Sequence, residues 1–183
     1  GGVLSVVKHM PGHGRAKVDS HYELPRIDSD VDTLRQSDFE IFKQLNWALL
    51  GMTGHLLYAT IDETAVSTCS KTIIGGVIRN HIGFDGALMS DDISMSALAG
   101  NMAARVTGAL KAGCDLVLHC NGDMAEMRAI AEVLPSKPSI DAAPRIARVD
   151  EALAALQSDV PKSARKVWGE IMADIFPESQ NAL

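Results

Sequence analysis

Near the start of the chain, Lys8, His9, His13, Asp19 and His21 place three histidines, a lysine and an aspartate within fourteen residues. Such side chains can hold a metal ion or move a proton. His9 and His13 are four apart, a ligand spacing only where both share one helix face, and Pro11 and Gly12 between them break a helix. Asp19 and His21 are two apart, so in an extended segment they point the same way. The carboxylate can then hold one ring nitrogen and leave the other to trade a proton. An ordinary solvated Asp-His pair fits the same spacing. Farther on, Asp91 and Asp92 are adjacent carboxylates at the end of an apolar run. They could share a metal, but nothing nearby completes an oxygen cage.

These residues need elements to position them. Val3 to Val7 is an apolar run that reads as a short buried strand stopped by Pro11 and the glycines, so the polar cluster falls just past a strand end, where α/β proteins expose their chemistry. The acidic stretch Asp28 to Asp32 reads as a solvated connection, because an EF-hand needs glycine and glutamate where Thr33 and Phe39 stand. Ser37 and Glu40 form a capping box for a helix with Phe39, Phe42, Leu45 and Leu49 on one face, ended by Gly51. His55 to Ile61 reads as the second strand. Ser70 caps a helix carrying Ile73, Ile74, Val77, Ile78 and His81, with Gly83 as its stop. Ala87 to Ser90 is a third strand that delivers Asp91 and Asp92. Residues 101 to 112 suit a helix and Asp115 to His119 a fourth strand. Met124, Met127, Ile130 and Val133 then recur at helical spacing, which assigns the methionines to core packing. Ser139 opens a further helix with Ile146, Val149, Leu153 and Leu156, entered by Pro144 in its first turns. Beyond Pro161, a last amphipathic helix includes Val167, Trp168, Ile171 and Ile175. Strand and helix alternating four times imply an α/β fold with parallel strands and helices packed outside.

The totals narrow the class. With 183 residues, 46% of them hydrophobic, the chain can build one ordinary core. A net charge of -6 without a Lys/Arg cluster argues against a nucleic-acid surface. No apolar run approaches the roughly twenty residues of a membrane span. Cys69, Cys114 and Cys120 cannot all pair within the chain, which favours reduced thiols in an intracellular protein. The opening Gly-Gly-Val, lacking methionine and set just before a strand, is an odd natural start: either the given sequence was cut there or it is part of a longer protein, so the lack of a signal peptide is weak evidence about location.

Three stretches together carry a resemblance. They are Lys8-His9-Met10-Pro11-Gly12-His13-Gly14 running on to Asp19-Ser20-His21 and Leu24-Pro25, then Met52-Thr53-Gly54-His55-Leu56-Leu57-Tyr58, then Gly83 through Ser90-Asp91-Asp92-Ile93-Ser94-Met95. Over about residues 1 to 150 the chain closely resembles the bacterial β-N-acetylglucosaminidases (β-hexosaminidases) of glycoside hydrolase family three, of the muropeptide-recycling type. The resemblance implies a (β/α)8 TIM barrel, here its second half, strands five to eight with their helices in residues 1–160, followed by a C-terminal helical extension in 161–183. It implies a retaining exo-hydrolase with Asp91 as nucleophile, His21 as acid/base and Asp19 orienting His21. Lys8 and His9 are then the sugar-binding pair, and no metal or cofactor takes part.

The implied substrate is a muropeptide or chitooligosaccharide ending in N-acetylglucosamine, with no nucleic-acid or membrane partner. The missing N-terminal half barrel, or self-association, would be needed to cover the open sheet edges. Gly12 and Gly14 are candidate flexible positions for closing the loop over the sugar. His13 is expected to hold that loop, His55 and Asp92 to support the site, and His81 and His119 to be structural. Met10 stands where phenylalanine is frequent in the family, and Gly54 where alanine is. Two rival readings remain: a phosphorylase on the same scaffold, whose histidine acid/base repels phosphate less than a carboxylate would, and a non-catalytic half-barrel interaction module.

Overall fold

The computed structural model describes residues 3–158. In chain order the elements are β1 (Val6–Met10), β2 (Arg26–Ile27), α1 (Val31–Gln36), α2 (Asp38–Lys43), β3 (Leu50–Thr53) and β4 (Leu57–Tyr58). A 3-10 turn (Ser67–Cys69) and a π-helix (Thr72–His81) follow, then β5 (Ala87–Asp92), α3 (Met102–Ala112), β6 (Leu116–Leu118), α4 (Met124–Val133) and α5 (Ala142–Ser158). The expected last helix beyond Pro161 lies outside the described residues. Ser5–Val149 form one compact unit, and the described part of a second is Val3, Leu4 and Asp150–Ser158. Among the described residues no helix is long and apolar enough to cross a membrane.

The expected parallel α/β sheet is present: four strands in the order β1-β3-β5-β6, every pairing parallel. A second, two-stranded parallel ladder joins β2 to β4. The main core packs Met10, Leu56, Tyr58 and Leu88 against Phe39 and Phe42 of α2 and Ile73, Ile74 and Ile78 of the π-helix. A smaller cluster joins Ile93, Leu98, Val106 and Ile130.

Several local expectations are corrected. β1 begins at Val6 and includes Lys8 and His9, so the strand sits later than Val3 to Val7. Asp30 is a helix cap, its carboxylate accepting from Thr33 N at 2.9 Å, so the acidic stretch opens α1 rather than forming a solvated connection. Ser37 makes no side-chain cap; its hydroxyl donates to Thr33 O, and the chain turns there from α1 into α2. That helix ends at Lys43, before Leu45 and Leu49. Gly51 lies inside β3, where a Cβ would meet the Phe84 ring at 2.7 Å, so it is a close-packing glycine and not a helix stop. His55 to Ile61 is no strand beyond the two-residue β4.

The π-helix confirms the Ser70 cap, whose hydroxyl accepts from Ile73 N, and it buries Ile73, Ile74, Val77 and Ile78 as its spacing predicts. Its wide winding appears where Ile82 N donates to Val77 O, five residues back, and Gly83 ends it at a φ of 75°. In α4 only Ile130 is buried, while Met124 and Met127 are 60% and 45% exposed, so the methionines are not core. Residues three apart drift by about 60° around a helix at each step. Counting back from Ile130, that drift carries Met127 and then Met124 off the covered stripe. Ser139 caps the start of α5 through Ala142 N, and Pro144 falls in its first turn as expected.

At the N-terminal edge of the sheet, the Asp115 side chain is only 3% exposed. It accepts from Arg79 at 2.7 Å, from Arg145 at 3.1 Å and from Leu88 N at 2.9 Å. These bonds tie β5, the π-helix and the start of α5 together. At the flanks, β1 and β6 each pair with one strand among the described residues. Apolar side chains stand exposed on α2 and just past it (Ile41, Trp47) and on α4 (Met124, Met127, Val133).

Candidate active site

In a parallel sheet all strands end on one edge, and here that edge gathers the polar residues. β1 carries Lys8 and His9, β3 leads into Gly54 and His55, β5 ends in Asp91 and Asp92, and β6 runs into His119 and Cys120. Although β3 lies between β1 and β5, His9 Nε2 reaches to 3.5 Å from Asp91 Oδ2. Gly54 makes the room, since a Cβ on it would sit 3.1 Å from His9 Cβ. Desolvation holds the pKa of His9 below the ordinary histidine value; Asp91 opposes this, while Lys8, His13 and His55 reinforce it. His9 is therefore neutral near pH 7. Lys8 is exposed beside it.

The chain from Pro11 to Pro25 hangs between β1 and β2 and carries the expected Asp19-His21 pair. His21 Nδ1 lies 2.7 Å from Asp19 Oδ1, which also accepts from the His21 backbone N at 2.9 Å. The pair forms in a turn, with Tyr22 and Glu23 N both donating to Asp19 O, and not in an extended segment. The bond to Asp19, then its charge, raise the pKa of His21, and Asp91 and Asp92 add to the rise. Asp19 is pulled below the usual carboxylate range, first by the His21 backbone N–H and then by the ring. With Nδ1 taken by Asp19, Nε2 is the nitrogen left for proton transfer. Both side chains are well exposed, at 68% and 57%.

The loop is anchored at more points than its glycines suggest. Gly12 is buried, has a φ of 150°, and its carbonyl accepts from the Tyr58 hydroxyl, so it is a fixed point and not a flexible one. Gly14 is open, with no neighbouring atom within 4 Å of the point where a Cβ would stand. His13 holds the loop as expected, its Nε2 lying 3.3 Å from the buried Ser20 Oγ, and Arg15 pairs with Asp38 at 2.7 Å. A cavity of about 610 Å³ opens beside β1, lined by Lys8, His9, His13, Arg15, Asp38 and Phe42 among others.

The adjacent aspartates do different things. Asp91 accepts from Asp92 N at 2.8 Å and faces His9. Asp92 accepts from Ser94 N, Ser94 Oγ and Cys120 N, so its carboxylate ties the β5 and β6 loops. Burial opposes charge on Asp92, but these bonds outweigh it and bring its pKa below the usual value. His55 is fully buried, with Nδ1 2.8 Å from Thr68 Oγ1 and Nε2 3.0 Å from Asp92 O. His119 pairs with Glu126 at 2.7 Å. The three cysteines are free. No local spacing signals Thr68 or Glu126, whereas Ser94, two residues past Asp92, stands at the spacing of a local side-chain turn and went unread.

Comparison with known proteins gives a consistent family. The sequence model of the Glycosyl hydrolase family 3 N terminal domain, a TIM-barrel-type α/β fold, matches residues 1–154. A beta-hexosaminidase of Alkalilimnicola ehrlichii is 42% identical over 124 residues, covering 66% of this chain and 35% of that protein. A beta-hexosaminidase of Bordetella avium is 31% identical over 182 residues, covering 94% of this chain and 51% of that protein. The chain thus spans between about a third and a half of these relatives. Among solved structures, NagZ from Neisseria gonorrhoeae in complex with N-trifluoroacetyl-D-glucosamine superposes with a TM-score of 0.68 at 28% identity, covering 90% of this chain and 48% of that one.

Proposed function

Because the chain belongs to glycosyl hydrolase family 3, we propose that it is the strand-five-to-eight half of a (β/α)8 barrel that acts as a retaining exo-β-N-acetylglucosaminidase. The half barrel is read over residues 1–160, and the C-terminal extension expected over 161–183 lies outside the described residues. The substrate is a terminal N-acetylglucosamine on a peptidoglycan-derived anhydro-muropeptide, and the setting is the bacterial cytoplasm. Asp91 attacks the anomeric carbon to form a glycosyl-aspartate, and His21, oriented by Asp19, protonates the leaving oxygen and later activates water. Lys8 and His9 bind sugar hydroxyls.

The observation that carries this reading is the meeting of His9 and Asp91 at 3.5 Å on the strand-end edge, from which the chain runs on into the loop that bears a tightly bonded His21-Asp19 pair. A raised pKa suits His21 to deliver a proton near neutral pH, and the Asp91 and Asp92 charges contribute to that rise. The half-barrel reading is supported by the sequential strand order, by edge strands with one neighbour each among the described residues, and by the share of the relatives' length covered. The other four strand-helix units are then needed to close the site.

The test combines this chain with a polypeptide supplying those units and follows hydrolysis of N-acetylglucosaminides. His21→Ala should slow substrates with poor leaving groups far more than activated aryl ones. Equal losses on both would show that His21 only shapes the loop.

A further inference from the structure

Behind the strand ends, Thr53, Thr68 and His55 are all 0% exposed and form one hydrogen-bonded chain. Thr53 Oγ1 lies 2.8 Å from Thr68 Oγ1, which lies 2.8 Å from His55 Nδ1, and His55 Nε2 lies 3.0 Å from the Asp92 carbonyl. A carbonyl oxygen only accepts, so Nε2 carries the ring hydrogen. Burial keeps the ring neutral, against the pull of the Asp92 carbonyl and the charges of Asp91 and Asp92. Nδ1 is then a lone pair, and it takes the Thr68 hydroxyl hydrogen. The competing acceptor for that hydrogen, Gly54 O, is farther away at 3.2 Å. With its own hydrogen given to the ring, Thr68 accepts from Thr53. Each hydrogen in the chain therefore points toward Asp92.

The far end of this chain grips the residue that sets the direction of Asp91. Asp92 N donates to Asp91 Oδ1, while the Asp92 carboxylate is held by Ser94 and Cys120 N. The bond from His55 to the Asp92 carbonyl completes the hold on that residue. We propose that His55, locked as the Nε2–H tautomer by Thr68, is a positioning residue that fixes the tip of β5 and so aims the Asp91 carboxylate at His9. Its value to catalysis rests on the reading of Asp91 as nucleophile, whereas the positioning itself does not.

The experiment uses the completed barrel without substrate, this chain 15N-labelled and the polypeptide supplying the other units unlabelled. Long-range proton-nitrogen correlation should show His55 protonated on Nε2 and bare on Nδ1, and a hydrogen on Nδ1 would overturn the proposal. The titration midpoint of His9 then reports where Asp91 points, because that charge raises it. Asp91→Asn should move the midpoint down, which calibrates the probe, and no movement would sink the underlying placement of Asp91 against His9. Because His55 itself also lowers the His9 value, the comparison is between His55→Leu and His55→Gln, which both lose that influence; the glutamine amide can still donate to Asp92 O and accept from Thr68, so His9 should titrate lower in His55→Leu than in His55→Gln. Equal His9 midpoints in the two folded variants overturn the proposal. Should His55→Leu fail to fold, Thr68→Val decides: it strips the donor from Nδ1 while keeping the side-chain shape, and a parent-like His9 midpoint in that variant would overturn the proposal equally. None of these readings depends on glycoside turnover, so their failure is distinct from failure of the glycosidase reading.

Discussion

Gly54→Ala tests whether His9 stands beside Asp91 because the next strand leaves it space. The added Cβ would lie 2.6 Å from Leu56 Cδ1, 3.1 Å from His9 Cβ and 3.4 Å from His13 Cδ2. Carbon atoms pack best at about 3.5–4.0 Å, so about 1 Å must be found at Leu56 and a few tenths at His9. Leu56 is fully buried and cannot swing into solvent. Overpacking of this kind costs about 1–3 kcal/mol. Leu56→Val alone removes a buried methylene, at about 0.5–1.5 kcal/mol, but it also removes the atom that the methyl group introduced by Gly54→Ala would strike. The double variant should therefore be little worse than Leu56→Val, with a favourable coupling of about 1–2 kcal/mol. Urea denaturation of the four proteins at constant pH measures this through their midpoints and slopes. If the two changes add to within about 0.5 kcal/mol, the close approach around Gly54 is not what limits the site.

Two other outcomes follow from bonds already described. Asp19→Ala removes the bond and charge that raise the His21 pKa, so the alkaline limb of the rate profile should move to lower pH; a limb that stays in place would exclude His21 as the proton donor. Asp115→Ala leaves Arg79 and Arg145 without their buried partner and should cost about 3–5 kcal/mol in denaturant unfolding, and a loss below about 1 kcal/mol, roughly a surface pair's worth, would refute the staple at the foot of the sheet.

Much of this is legible in the sequence, and the failures have physical causes. β5, the helices over residues 72–81 and 102–112, and β6 stand out because apolar periodicity, a cap and a glycine stop agree. The apolar run places β1 too early because Lys8 and His9 interrupt it, yet those polar residues lie inside the strand where it meets the site. β3 is lost in the sequence because Leu49 and Gly51 read as the end of a helix while His55 to Ile61 is the longer apolar run, and only the pairing of Leu50 with Val6 and Ala87 reveals the strand. Within the site, the Asp19-His21 pair is readable from a spacing of two. The bonds from Thr68 to His55 and from Cys120 N to Asp92 join residues far apart in the chain, where no spacing rule reaches.

On the proposed reading, Asp91 is the group that captures the sugar. The most direct measurement quenches the completed barrel during turnover of an activated N-acetylglucosaminide and maps the modified peptide by mass spectrometry. One N-acetylglucosaminyl unit on the peptide containing Asp91, absent in Asp91→Ala, is the predicted result. Turnover that persists in Asp91→Ala, or an adduct on another carboxylate, would contradict it.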